Sequence, residues 1–119
     1  MTDPIEKLRE YGYELPAPKA PVASYVPVNR SGNLLYVSGQ LSSNENGVVQ
    51  GLLGDTMNVV QGGNAAELCA VNILAQIVHM AGVPLHEVKK ILKFTVLVGS
   101  APDFFRQEPV TYRPSKLLV

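Results

Sequence analysis

Apolar and polar positions follow two different periods along this chain, one typical of a helix and one typical of a strand. Over residues 61–81 the polar side chains gather in one stripe of about 120° on a helical wheel, and the other faces are apolar. The stripe contains Gln61, Asn64, Asn72, Gln76 and His79. A stripe that narrow predicts a long helix buried on more than one side. Gly82 and Pro84 mark its end, because glycine accepts a left-handed conformation and proline blocks continuation.

The period of two occupies residues 91–98. Its apolar positions share one face, while Lys93 and Thr95 lie on the other. The apolar face consists of Leu92, Phe94, Val96 and Val98. This alternation predicts a strand.

Two earlier apolar runs, residues 22–28 and 34–39, flank a turn sequence at residues 29–33 and predict a hairpin. Pro27 lacks an N–H for a strand ladder, so the first run belongs at a sheet edge. Residues 44–54 are rich in glycine and asparagine, which predicts a loop with a short strand around residues 48–49.

The two ends of the chain carry capping and proline signals. Asp3, Pro4 and Glu6 predict the start of a short helix that stops at Gly12. Prolines at 16, 18 and 21 then predict an extended arm. Near the other end, Pro109 and Pro114 are expected to interrupt any helix between them, and Ser115 to cap a turn over residues 116–119.

The order strand, strand, helix, strand predicts an α+β domain with helices on one sheet face. At 119 residues the chain has room for a single domain. A sheet of about three strands has open edges, so we expect partner chains to cover them.

Charge and composition narrow the class of function. Ten basic and ten acidic residues cancel, which predicts neither nucleic-acid binding nor attachment to an anionic membrane. Charged residues make up 17% of the chain, below the roughly 25% typical of soluble domains, and this favours self-association. No apolar run is long enough to span a bilayer, and no targeting segment is evident, so we expect a cytoplasmic protein.

A single cysteine, Cys69, excludes an internal disulfide and lies on the apolar side of the long helix, which predicts an inert thiol. No His/Cys cluster has metal-ligand spacing, so no metal site is expected. His79 and His86 are expected in solvent, and no Ser/His/Asp arrangement is evident.

Several segments in register resemble one known family. Residues 24–28 followed by residues 32–40, which end in Ser38-Gly39-Gln40, are similar to the opening hairpin of the Rid (endoribonuclease L-PSP) proteins, the reactive-intermediate imine deaminases. Asn72, the Ala81-Gly82 stop and residues 88–104 follow the same family order. By this resemblance residues 1–119 form one Rid-like domain: residues 1–20 are a helix and proline-rich arm, 21–104 the family-like core, and 105–119 a divergent or truncated tail.

The resemblance implies a chorismate-mutase-like sandwich assembled as a homotrimer, with its sheets forming a barrel and its active sites between subunits. It also implies cofactor-independent hydrolysis of 2-imino acids or enamines, such as 2-aminoacrylate, to 2-oxo acids and ammonia. Such a site needs a cation for the substrate carboxylate and a polar group that places water.

Four residues match the family's substrate pocket: Tyr25, Ser38, Gly39 and Gln40. Without the resemblance, Tyr25 is equally a half-exposed strand aromatic, and the other three are a strand ending in a turn.

The family's arginine clamp and water-placing glutamate belong to strands that would follow Val119, and the family's asparagine aligns with Tyr112. Arg113 and Arg106 are the candidate replacement clamps, ahead of Arg30 in the hairpin turn; the catalytic residues are not identified.

Four interpretations remain at this point. The first is an imine or enamine deaminase, and the second is an inactive oligomeric module that binds small carboxylates or a protein. The third is a ribonuclease or translation inhibitor, against which the neutral charge argues. The fourth is an incomplete copy of a longer protein.

Overall fold

The computed structural model describes residues 4–16, 28–44, 46–103, 110–111, 114 and 117–118. The elements are helix α1 (Pro4–Glu10), strands β1 (Val28–Ser31), β2 (Leu34–Val37), β3 (Ser43–Asn44) and β4 (Gly47–Val48), helix α2 (Val59–His79), and a 3₁₀ turn (Leu85–Glu87). The predicted α+β class is confirmed. The chain divides into two compact units, Met1–Gln40 with Val71–Lys89 and Leu41–Ala70 with Lys90–Val119.

Helix α1 in the first unit begins and ends as predicted. Pro4 is its first residue, and Asp3 lies outside the described residues. At the other end Gly12 has φ +89°. Its N–H donates to the Arg9 carbonyl at 2.9 Å, and the Tyr13 N–H donates to the Leu8 carbonyl at 3.1 Å. This pair of bonds is a Schellman motif, which satisfies carbonyls that the end of the helix would otherwise leave unbonded.

The β1–β2 hairpin is confirmed, but its turn is shorter than predicted. Asn29, Arg30 and Ser31 pair with β2 residues, so only Gly32 and Asn33 remain in the turn. Gly32 has φ +58°. A positive φ at the first of two turn residues is typical of type II′, whose twist matches paired strands and lets the ladder continue to the turn. The predicted run over residues 22–27 lies outside the described residues.

The second unit contains the β3–β4 pair and a small apolar core. Strand β4 ends at Val48, so the predicted short strand is confirmed there but does not include Val49. Leu53 bridges two segments, since its N–H donates to the Gly99 carbonyl at 3.1 Å and its carbonyl accepts from the Ala101 N–H at 2.7 Å. Its side chain packs with Ala66 of α2 and with Val110.

Helix α2 is the predicted long helix, but it begins at Val59, two residues earlier than predicted, and ends at His79, two residues before the predicted end. Asn58 and Gln61 form a reciprocal pair: the Gln61 N–H donates to Asn58 Oδ1 at 2.8 Å, and the Asn58 N–H donates to Gln61 Oε1 at 2.9 Å. This capping box satisfies two of the N–H groups that a helix start leaves unbonded. After the helix, Gly82 has φ +68°, as its predicted role requires.

Burial around α2 also agrees with the prediction that more than one side is covered. The buried residues are Gly62, Gly63, Ala65, Ala66, Glu67, Ala70, Val71, Ala75, Gln76 and Ile77. Most are small, so neighbouring backbone can approach the helix closely.

The prediction of a strand over residues 91–98 is wrong for the described structure: none of these residues forms a strand, and Leu92, which was predicted on the apolar face, is 70% exposed. From Phe94 to Ser100 half-buried and exposed side chains alternate strictly. Only Ser100, just beyond the predicted strand, forms a bridge, and its partner is Leu53. A ladder requires a neighbouring strand, and within the described part of the chain residues 91–98 have none.

The expectation that Pro109 and Pro114 exclude a helix between them is wrong. Val110 and Thr111 are helical, as are Pro114, Leu117 and Leu118. Val110, Pro114 and Leu117 are buried. Proline already has a helical φ, and burial of its side chain compensates for the hydrogen bond that proline removes. Ser115 lies outside the described residues.

Candidate binding loop after strand β2

The segment Ser38-Gly39-Gln40 follows directly where β2 ends at Val37. Ser38 and Gln40 are half-buried, and Gly39 is exposed. A Cβ added at Gly39 would meet none of the described atoms within 4 Å. The backbone is therefore open to a ligand at this position, as the sequence-based hypothesis requires. We call these three residues the binding loop.

Gln40 folds back onto the start of the binding loop. Its Nε2 donates to the Ser38 carbonyl at 3.3 Å and lies 3.5 Å from the Ser38 hydroxyl oxygen. The side chain therefore links both ends of a segment that pairs with no strand among the described residues. The loop offers hydroxyl and amide groups, which suit the acceptor atoms of a small carboxylate, imine or carbonyl compound.

Gln76 of α2 extends this polar cluster from a position 36 residues away in sequence. Its Nε2 donates to Gln40 Oε1 at 3.5 Å. Gln76 is only 3% exposed, although the polar stripe of α2 includes it. The sequence analysis assigned no role to Gln76, and no local pattern indicates one, because the contact depends on how α2 packs against the end of β2.

Of the other predicted site residues, Arg30 belongs to the described part of the chain. Tyr25, Arg106 and Arg113 fall outside the described residues, as does Tyr112. Arg30 belongs to β1 rather than to the turn, and it is exposed. Its Nε donates to the Gly32 carbonyl at 2.9 Å. This bond supports the hairpin turn, so the guanidinium has a local structural role.

Cys69, His79 and His86 are placed as the sequence predicted. Cys69 is half-buried, and burial raises the pKa of its thiol, an effect that a backbone hydrogen bond partly opposes. A raised pKa lowers the thiolate fraction at neutral pH and makes the thiol a poor nucleophile. His79 and His86 are exposed as predicted.

In residues 4–16, 28–44, 46–103 and the described tail positions, no group of three or more histidine, cysteine or acidic side chains is placed to hold a metal ion. No helix formed by those same residues combines the length and apolar character needed to cross a membrane.

Glu67 is a buried acidic residue that the sequence analysis missed. It lies on α2 and is 1% exposed. Burial of a carboxylate is costly unless hydrogen bonds or opposite charges compensate for lost hydration. Its position on the apolar arc of the helical wheel, between Ala66 and Leu68, was the available signal.

Comparison with solved structures defines the class of protein first. The chain superposes on a Shewanella oneidensis MR-1 protein that carries the provisional name endoribonuclease, with a TM-score of 0.83 and 26% identity, over 98% of this chain and 77% of that one. The class is therefore an endoribonuclease-like α+β fold, in agreement with the coarse part of the resemblance. The Agrobacterium tumefaciens protein Atu1372, of unknown function, superposes with a TM-score of 0.87 and 41% identity, over 96% of this chain and 70% of that one.

Sequence comparison then identifies the family. Protein TCP17 of Trypanosoma cruzi is 38% identical over 113 residues, which cover 94% of this chain and 70% of TCP17. The chain therefore belongs to the family of TCP17. No protein-family profile matches it.

Proposed function

We propose that this protein is a Rid-type deaminase that hydrolyses 2-imino acids, or their enamine tautomers such as 2-aminoacrylate, to 2-oxo acids and ammonia. The fold shared with the Shewanella protein and the family-like segments in the sequence support this proposal. The observation that carries it is the binding loop, where an exposed glycine lies between two polar side chains that are tied together.

The chemistry demands little beyond binding and orientation. An enamine first tautomerises to the imine, whose carbon is already electrophilic. Water then adds to that carbon, the carbon–nitrogen bond breaks, and ammonia leaves as the carbonyl forms. The binding loop contributes by holding acceptor atoms of the substrate so that one face of the imine carbon meets water.

The cationic clamp for the substrate carboxylate is assigned, as part of the proposal, to Arg113 or Arg106. An arginine can bind a carboxylate through two parallel N–H···O bonds, which fixes orientation as well as charge. Tyr25 is assigned to the imine nitrogen or the attacking water, because its phenol can donate or accept a hydrogen bond.

The proposed assembly is a homotrimer of one Rid-like domain per chain, with a chorismate-mutase-like sandwich and the sites in clefts between subunits. This assembly explains why a strand-like segment, residues 91–98, lacks a ladder partner within the described part of the chain. The proposed reaction uses neither a metal nor an organic cofactor.

A coupled assay tests the proposal. A pyridoxal-phosphate dehydratase generates 2-aminoacrylate from serine, and pyruvate release is followed with and without this protein. We expect acceleration that falls by about tenfold or more in Gly39→Val, because a branched side chain obstructs close approach of substrate to the backbone. A Cβ at Gly39 meets none of the described atoms within 4 Å, so the substitution is expected to leave folding intact.

Gln50→Glu is the matched control, since Gln50 is exposed and lies outside the binding loop. It should retain the wild-type rate, while Tyr25→Phe and Arg113→Ala should lower it. Pyruvate binding without acceleration would replace the deaminase with a non-catalytic carboxylate-binding module. Cleavage of single-stranded RNA without acceleration would favour the ribonuclease interpretation instead.

A further inference from the structure

The orientation of two side-chain amides follows from a single backbone carbonyl. The Ser38 carbonyl can only accept a hydrogen bond, so the end of Gln40 that faces it must be the NH₂ group. The Gln40 Oε1 then faces Gln76, and Gln76 must present its own NH₂ group. The hydrogen bonds therefore point one way: Gln76 donates to Gln40, and Gln40 donates to Ser38.

This direction decides what the Ser38 hydroxyl can do. The Gln40 NH₂ group lies 3.5 Å from Ser38 Oγ, which accepts a hydrogen bond from it rather than donating one. The hydroxyl's own proton is consequently directed away from Gln40. If the Gln40 amide were reversed, its Oε1 would face Ser38 and would accept a hydrogen bond from the Ser38 hydroxyl.

We propose that Gln76 is a positioning residue that sets the ligand specificity of the binding loop. By donating to Gln40, it keeps the Ser38 hydroxyl as a donor for an acceptor oxygen of the ligand, so the loop selects small 2-oxo or 2-imino carboxylates. Gln76 is 3% exposed and acts through Gln40, without contact to the ligand. This inference rests on the proposed function, since it names how the same loop recognises its substrate class.

Pyruvate binding to the full chain tests the inference independently of turnover. Pyruvate is titrated into ¹⁵N-labelled protein, and the Kd is followed through backbone and glutamine side-chain NH₂ signals. Gln76→Glu places a carboxylate beside Gln40 Oε1, and repulsion between these acceptors favours the reversed Gln40 amide despite the Ser38 carbonyl. The reversed Oε1 then accepts a hydrogen bond from the Ser38 hydroxyl, which is no longer available to the ligand. We expect the Kd to rise about tenfold, as for a lost hydrogen bond to a charged ligand. Gln50→Glu should leave the Kd unchanged.

A double-mutant cycle with Ser38→Ala separates positioning from general damage. Ser38→Ala alone should weaken binding to about the same extent as Gln76→Glu, and the double variant should be no weaker than either single variant, because both remove one donor. Additive losses would overturn the inference. They would mean that Gln76 supports the fold without governing the Ser38 hydroxyl.

Gln76→Met provides a second test if a buried glutamate prevents folding. It removes the donor without adding an acceptor, so only the Ser38 carbonyl still orients the Gln40 amide. Binding should then weaken by only a few-fold, again without adding to Ser38→Ala. An unchanged Kd in Gln76→Met, together with a raised Kd in Ser38→Ala, would refute the role of Gln76. It would still support the binding loop as the ligand site. An unchanged Kd in Ser38→Ala would refute the binding loop itself, and with it the site of the proposed function.

Discussion

Close packing at individual residues explains why α2 contains glycine where a helix former would be expected. A Cβ added at Gly62 would lie 2.7 Å from Leu53 Cδ2 and 3.2 Å from Val110 Cγ2. Leu53 and Val110 are both buried in the apolar core of the second unit. The missing side chain is therefore what allows α2 to approach Leu53.

Gly62→Ala should destabilise the protein, although alanine is the better helix former by about 1 kcal/mol. We expect a net loss of about 1–3 kcal/mol in the free energy of unfolding, because the buried leucine has little room to move. Urea denaturation measures the loss. Leu53→Val removes the atom that clashes, so the Gly62→Ala penalty should shrink in that background; a penalty of the same size there would contradict the packing argument.

At the scale of elements, α2 carries start and stop signals of its own, whereas residues 91–98 depend on a partner. The capping box at Asn58 and Gln61 and the positive φ of Gly82 are local features. The strand-like segment shows strand alternation without a ladder, because backbone pairing is never a local property.

Removal of the capping box should weaken α2 measurably. Asn58→Ala is expected to lower the free energy of unfolding by about 1 kcal/mol, since an N–H at the helix start loses its acceptor. Thermal unfolding followed by circular dichroism gives the difference. Asn58→Ser retains a capping oxygen and should remain near wild type, and Val60→Ala, at an exposed position beside the cap, is the control for composition. Equal stability of the Ala and Ser variants would show that the cap contributes nothing.

At the scale of the whole molecule, the balance of charge and exposed apolar side chains favours association. The net charge is zero, so like-charge repulsion does not oppose contact between copies. Leu97 is 93% exposed and Leu92 is 70% exposed, and both lie on the strand-like segment. The proposed homotrimer would cover this segment.

Light scattering tests the trimer directly. The wild-type protein should have three times the chain mass of 12.8 kDa. Leu97→Lys should lower that mass while preserving the circular dichroism spectrum, because a charge buried in an interface is costly but an exposed one is not. Asp55→Lys, on an exposed turn, should keep the trimer. A wild-type mass equal to one chain would refute the proposed assembly.

Particular residues show where prediction from sequence succeeded and where it stopped. Gly12, Gly32 and Gly82 were placed correctly in stops and turns, because glycine is the residue that adopts a positive φ most readily. The spacing of Asn58 and Gln61 is also that of a capping box, which was not among the predictions. Gln76 had no assigned role, since its burial on the polar stripe depends on which segments pack around α2. The burial of Glu67 was predictable from its place on the apolar arc of the helix.

The resemblance to a known family, and not a local pattern, made Ser38, Gly39 and Gln40 candidates. The amino-acid sequence alone determined the α+β class, the long helix to within two residues at each end, and the hairpin. These follow from local periodicity, capping and turn chemistry, which act over a few residues. Only the tertiary structure decided that Gln76 reaches Gln40, that Gly62 lies against Leu53, and that residues 91–98 lack a ladder partner within the described part of the chain. Those facts depend on contacts between residues distant in sequence, and such contacts form only when the packed chain brings the residues together.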